Sequence, residues 1–134
     1  MKVAVDTSVL LDVLGADPEF GERSRVALKK VWTSGPVVVC DVVLAEVSAF
    51  FPPGEDPAAL LAEMGIVFEP LSADTSVDAG RRWKAFRSRG GPRRDRVIAD
   101  FLVGAHALLA ADALLTRDRG FYRAAFSGLQ VLEP

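Results

Sequence analysis

The sequence predicts a three-layer α/β/α fold, with helices covering both faces of a mainly parallel sheet. Two observations carry this. Short runs of Val, Ala, Ile and Leu recur without polar interruption, as strands buried on both faces do. Segments of helical spacing separate these runs, and strands joined through helices pair in parallel. A third observation concerns charge: three of the apolar runs are followed closely by an aspartate, where a buried strand has the least use for one.

The first run, "KVAV" at 2–5, leads into Asp6 and a helical segment at 8–14. "ADPEF" supplies Asp17 as a helix cap with Pro18 at the first helical position of a segment spanning 18–33. "PVVVC" at 36–40 is the second strand, and Asp41 is placed to cap the helix over 41–51. The breaker cluster "FPPGEDP" at 51–57 precedes a helix at 56–64 and a strand "IVFE" at 66–69. A longer helix at 73–89 ends in "SRGGP" at 88–92, and another covers 95–110. "ALLT" at 113–116 and "LQVLE" at 129–133 complete the strands. With no repeat or long linker, residues 1–134 are expected to form one domain.

Composition excludes several classes of function. Half of the 134 residues are hydrophobic, enough for a sizeable core. Cys40 is the only cysteine, which excludes an internal disulfide and a Cys-based metal site and reads as a small buried hydrophobe. The start lacks a basic-then-apolar leader pattern, and no run approaches the roughly 18 apolar residues of a membrane helix. A reducing cytoplasm is the expected location. Net charge is −2, yet eight of the 16 basic residues fall between Arg81 and Arg96, against the single acid Asp95. Such a patch attracts a phosphate backbone, although a solvated helix face is the plainer reading.

In a parallel sheet, ligands lie beyond the carboxyl ends of the strands. Asp6 follows the first strand and Asp118 follows "LLT", so both are expected at the same edge. Glu46 stands among Val43, Leu44, Val47, Phe50 and Phe51 on an apolar helix. Asp100 projects about 130° from the stripe formed by Val97, Ile98, Phe101, Leu102, Ala105, Leu108 and Leu109. It shares its flank with Gly104 and Ala107, a notch open to a ligand or to a packed neighbour. Singly, each acid reads as a cap or an ion pair. Jointly, clustered carboxylates repel one another and call for a divalent cation, and carboxylate-and-water ligation suits Mg²⁺ or Mn²⁺.

"VDTSVLLD", "AEVSAFF", "DFLVGAHAL" and "LLTRDRGFY" resemble, in order and spacing, the signature segments of PIN-domain ribonucleases, with most likeness to the VapC-type toxins of prokaryotic toxin–antitoxin pairs. The resemblance runs over nearly the whole chain. It implies a metal-dependent endoribonuclease, a homodimer and a cognate antitoxin. By this resemblance Asp6, Glu46 and Asp100 match the first three acids and Ser8 the small polar residue that supports the first. The last motif departs from one common form: Asp118 stands where that form has Asn, and Phe121 where it has Asp. Asp118 is assigned the fourth acidic role, with Thr116 orienting it or touching the metal's water shell. Asp6 and Asp100 are expected to hold the ion, Glu46 and Asp118 to complete the cluster, and the metal to activate a water. Arg93, Arg94, Arg96, Arg117 and Arg119 are assigned to the RNA backbone.

Competing folds fit less well. A haloacid-dehalogenase-type phosphatase needs an Asp where Ser8 stands, and a receiver domain needs a late Lys, whereas none follows Lys84. A non-catalytic PIN-like binding module and a housekeeping RNA-processing nuclease stay open. His106 lies about 240° around the helix from Asp100 and reads as structural. Asp12 reads as a solvated or capping acid before a supporting role behind the site acids. Trp32, Trp83, Phe86 and Tyr122 read as core before base-stacking, and Phe50 and Phe51 as core or as a partner groove.

Overall fold

The structure is a computed structural model that describes residues 1–89 and 96–134. Arg93 and Arg94 lie outside the described residues. Five parallel strands form one sheet in the order β3-β2-β1-β4-β5. They are β1 (Val3–Val5), β2 (Val37–Val39), β3 (Ile66–Phe68), β4 (Ala113–Leu115) and β5 (Val131–Leu132). The helices are α1 (Thr7–Leu14), α2 (Gly21–Trp32), α3 (Asp41–Ser48), α4 (Pro57–Glu63), α5 (Ala73–Ser88), α6 (Ile98–Ala110) and α7 (Arg119–Ala125). This is the α/β/α architecture that the apolar runs predict.

The three inner strands, VAV, VVV and ALL, are buried at every position, so continuous apolar runs are what the sheet centre requires. The edge strand β3 buries Ile66 but exposes Val67 and Phe68. From β1 the chain steps outward through β2 to β3, then returns across the sheet to β4 on the other side of β1. Strand order therefore reverses between β1 and β4, and in open parallel sheets ligands bind beyond the carboxyl ends of the strands at such a point. The two ends are tied by the Asp6 amide donating to the Leu115 carbonyl at 3.0 Å.

Several local expectations change. Asp17 accepts from the Glu19 and Phe20 amides, closing a turn, and α2 begins only at Gly21. Cys40, not Asp41, is the N-cap of α3; the Asp41 carboxylate instead accepts from the Leu71 amide, pinning the segment before α5. The α6 stripe is rotated from its expected position. Val97 and Leu109 are exposed, while Val103, Gly104, Ala105 and Ala107 are buried. The notch at Gly104 is filled by packing, since a Cβ there would lie 2.3 Å from the Phe126 ring. Phe126 belongs to an aromatic cluster with Phe101, Phe121 and Tyr122 that binds α6 to α7, an element absent from the sequence reading. Gly65, at φ +79°, turns the chain from α4 into β3 in a conformation side chains resist.

Candidate active site

Asp6 ends β1 and caps α1: its Oδ1 accepts from the Thr7 amide at 2.8 Å. Its Oδ2 accepts from the Thr116 hydroxyl, which directly follows β4, at 2.7 Å. The two strand ends thus meet through one carboxylate. Burial raises the Asp6 pKa above the usual carboxylate value; the Thr116 and Thr7 bonds oppose this, and the charges of Glu46 and Asp100 add to it. Asp6 has no Lys or Arg ion-pair partner among the described residues. The Asp6 carboxylate thus caps α1 and joins the ends of β1 and β4.

Glu46 comes to this edge on α3 and is held by the Thr7 hydroxyl, which donates to its Oε1 at 2.8 Å. Asp100, in the first turn of α6, is also raised by burial, a shift that Arg96 opposes and that Asp118 and Glu46 reinforce. Asp118 caps the start of α7, and its amide donates to the Thr116 hydroxyl oxygen at 3.0 Å. All four predicted acids therefore gather at the reversal point, drawn from β1, α3, α6 and the β4–α7 loop.

The sequence assigns Arg96 to RNA, and the structure places it inside the acid cluster. Its Nη1 donates to Asp118 Oδ2 at 2.6 Å and lies 3.8 Å from Asp100 Oδ2. Its guanidinium stacks on the Phe121 ring at 4.3 Å, so the position that is acidic in the common family form holds a core aromatic. Arg117 is turned away, with Nε and Nη2 on the two oxygens of Asp12 at 2.8 and 3.1 Å. Asp12 is therefore not solvated: it is buried and also accepts from the Ser24 hydroxyl at 2.7 Å. Arg119 pairs with Glu133 at 2.5 Å.

Thr7 escapes sequence reasoning, whereas Tyr122 is core as expected but also lies beside the acids. Thr7 sits inside the "DTS" segment, and only the fold brings Glu46 to its hydroxyl. Tyr122 is buried in the aromatic cluster, and its phenol pKa is pushed up by burial and further by Asp6, Asp100 and Asp118. Ser8, the expected support, keeps a buried Oγ with no hydrogen-bond partner among the described residues. His106 is buried with its Nε2 3.0 Å from Glu69 Oε1, apart from these acids. Cys40 is buried and its thiol pKa raised by burial.

The donor set suits a hard divalent cation: four carboxylates and neighbouring hydroxyls, all oxygen, of which Asp6 and Asp100 have pKa values raised chiefly by burial and further by neighbouring acids. The orphaned Ser8 hydroxyl is a further oxygen beside Asp6 in sequence. Among the described residues no three His, Cys, Asp or Glu side chains are arranged to hold a metal ion, and Arg96 supplies the local positive charge. The residues fit such an ion in chemistry and charge.

Comparison with known proteins gives a consistent pattern. A family profile described as "PIN domain" matches residues 3–127. No curated protein matches the sequence. The structure of VapBC2 from Rickettsia felis, bound to a DNA fragment from their promoter, contains a chain 16% identical. That comparison has a TM-score of 0.75 and covers 100% of this chain and 99% of the other. FitAcB from Neisseria gonorrhoeae contains a chain 20% identical at a TM-score of 0.67, over 97% of this chain and 96% of that one. FitAB bound to IR36 DNA gives the same identity and score, over 98% and 94%. Among the described residues no helix is long and apolar enough to cross a membrane.

Proposed function

Because the chain belongs to the PIN-domain family, whose members are generally nucleases, we propose that it is a metal-dependent endoribonuclease and the toxin of a type II toxin–antitoxin pair. The observation that carries this reading is the gathering of Asp6, Glu46, Asp100 and Asp118 at the point where strand order reverses. Asp6, Glu46, Asp100 and Asp118 would hold Mg²⁺ or Mn²⁺, which when bound supplies a water of lowered pKa and neutralises charge on the phosphodiester. Thr116 fixes the orientation of Asp6, and Thr7 that of Glu46. Arg96 holds Asp118 against α6 and offsets the repulsion between Asp118 and Asp100. Tyr122, its phenol kept protonated, stays neutral beside the acids. The test is cleavage of a labelled RNA pool with Mg²⁺, with Mn²⁺ and with EDTA, alongside Asp6→Asn. Metal-dependent cutting that the variant loses supports the reading; equal cutting by a folded variant, or cutting in EDTA, overturns it.

The antitoxin is assigned to an apolar groove of about 520 Å³ between α1 and the turn after α3. Leu11, Leu14, Phe50, Phe51 and Pro52 line it, and Phe50 is 72% exposed. An aromatic exposed to that degree beside other apolar groups marks a surface that a partner covers. Copurification with a product encoded beside the gene, lost in Phe50→Asp, tests this assignment. The same reading makes the protein a cytoplasmic homodimer, which light scattering and cell fractionation test.

A further inference from the structure

The loop between β4 and α7 separates two opposite chemistries. Thr116 and Asp118 turn toward the acids. Arg117 and Arg119, alternating with them, line a different pocket of about 210 Å³ with Phe20, Arg23, Glu133 and Pro134. We propose that this pocket is a subsite for a backbone phosphate of single-stranded RNA, holding the strand next to the acid cluster. The choice of RNA as the strand rests on the nuclease reading above; the phosphate chemistry rests on the pocket itself.

Three guanidiniums converge here. Arg117 is held in place before any ligand arrives, by two bonds to buried Asp12 and by stacking on Phe20 at 4.2 Å. Phe20 is itself fixed by the turn that Asp17 closes. Arg23 lies over the same ring at 6.0 Å and donates to the Pro134 carbonyl oxygen at 3.1 Å, with no carboxylate partner among the described residues. Arg119 is paired with Glu133. Asp12 and Glu133 thus answer Arg117 and Arg119, Asp17 adds a further acid near Arg117, and Arg23 is the cation of the three without an ion-pair partner among the described residues.

Guanidinium groups match the geometry of phosphate and carry five donors each, of which the described residues take one or two per side chain. Glu133 is an internal anion on Arg119, in the place a phosphate oxygen would take. Because Arg117 and Arg119 flank Asp118, a strand lying across this loop meets both the pocket and the acids. An extended patch of solvated arginines would give general attraction only; here Arg117 is fixed, Arg119 can exchange Glu133 for a phosphate, and Arg23 has no carboxylate to give up.

The test is fluorescence anisotropy of a labelled single-stranded RNA in EDTA, so that binding is read without cleavage, over a series of KCl concentrations. Arg23→Ala and Arg119→Ala should each weaken binding and reduce the slope of log K against log salt by about 0.7, the value for one lost phosphate contact on a single strand. Arg23→Lys should restore most of the slope, and Glu133→Gln should tighten binding by freeing Arg119. Both alanine variants binding like the parent at every salt concentration would overturn the proposal. So would weaker binding with an unchanged slope, or a Glu133→Gln protein that binds less well. Cleavage measured in parallel separates the two readings. Arginine-dependent slopes without metal-dependent cutting would leave the subsite and remove the nuclease, and cutting with unchanged slopes would do the reverse.

Discussion

Asp6 and Asp12 stand at the start and near the end of the same short helix, α1, and the molecule treats them in opposite ways. Asp12 is buried and answered by a cation: two bonds from Arg117 and one from Ser24 join α1, α2 and the loop after β4. Asp6 receives a hydroxyl and a backbone amide, and its pKa is pushed up by burial and further by the acids that it faces. A carboxylate used to hold the fold is given its counter-ion within the chain. Asp6, proposed to act in the chemistry, is fixed in direction and has no Lys or Arg ion-pair partner among the described residues.

The contrast breaks most sharply if the two acids are exchanged in their effects. Asp6→Asn should lower RNA cleavage by more than about a hundredfold, beyond the roughly 10–100-fold typical of residues that only orient a metal ligand. It should leave the fold intact, as circular dichroism will show. Asp12→Ala should instead cost about 2–3 kcal/mol in denaturant unfolding, below the full cost of breaking a buried pair because Arg117 keeps partial access to water. A stable Asp12→Ala protein would mean that the pair is not what joins these elements.

The supporting hydroxyls sharpen the same comparison at smaller scale. Thr116→Val removes the donor to Asp6 and the acceptor for the Asp118 amide, and should lower cleavage by about 10–100-fold. Ser24→Ala removes a donor to Asp12 and should cost about 1–2 kcal/mol of stability with cleavage unchanged. Equal effects of the two on unfolding and on rate would erase the distinction.

The smallest expected effect is on pH dependence. Asp6 and Asp100 have folded pKa values raised above 3.8, chiefly by burial. Their protonated forms therefore favour the fold, fully below that value, and this contribution is lost as pH rises through the raised values. In metal-free buffer the melting temperature of the parent should fall relative to Asp6→Asn over that rise. Added Mg²⁺ at neutral pH should recover it in the parent alone. A difference that stays flat across the pH range would mean that the acids do not strain the fold.

Much of this was legible in the chain. Continuous apolar runs marked the three inner strands, because an inner parallel strand offers neither face to water and leaves no alternation to read. The positions of Asp6 and Asp118 at strand ends followed directly from those runs. Glu46 and Asp100 were singled out as acids on apolar helices. The stripe on α6 was misplaced because Gly104 and Ala107 count little as apolar residues, yet their smallness is what admits the Phe126 ring. Asp12 was misread because its partner lies 105 residues away.

What the sequence determined by itself was the alternation of strand and helix, and with it the edge at which the acids would emerge. Those features arise from local periodicity and from the burial that each run requires. Tertiary structure alone decided which arginine served which acid: Arg96 went to Asp118, Arg117 to Asp12 and Arg119 to Glu133. Ion pairing depends on a few ångströms of separation, and that separation is set by how the strands are ordered and the helices packed.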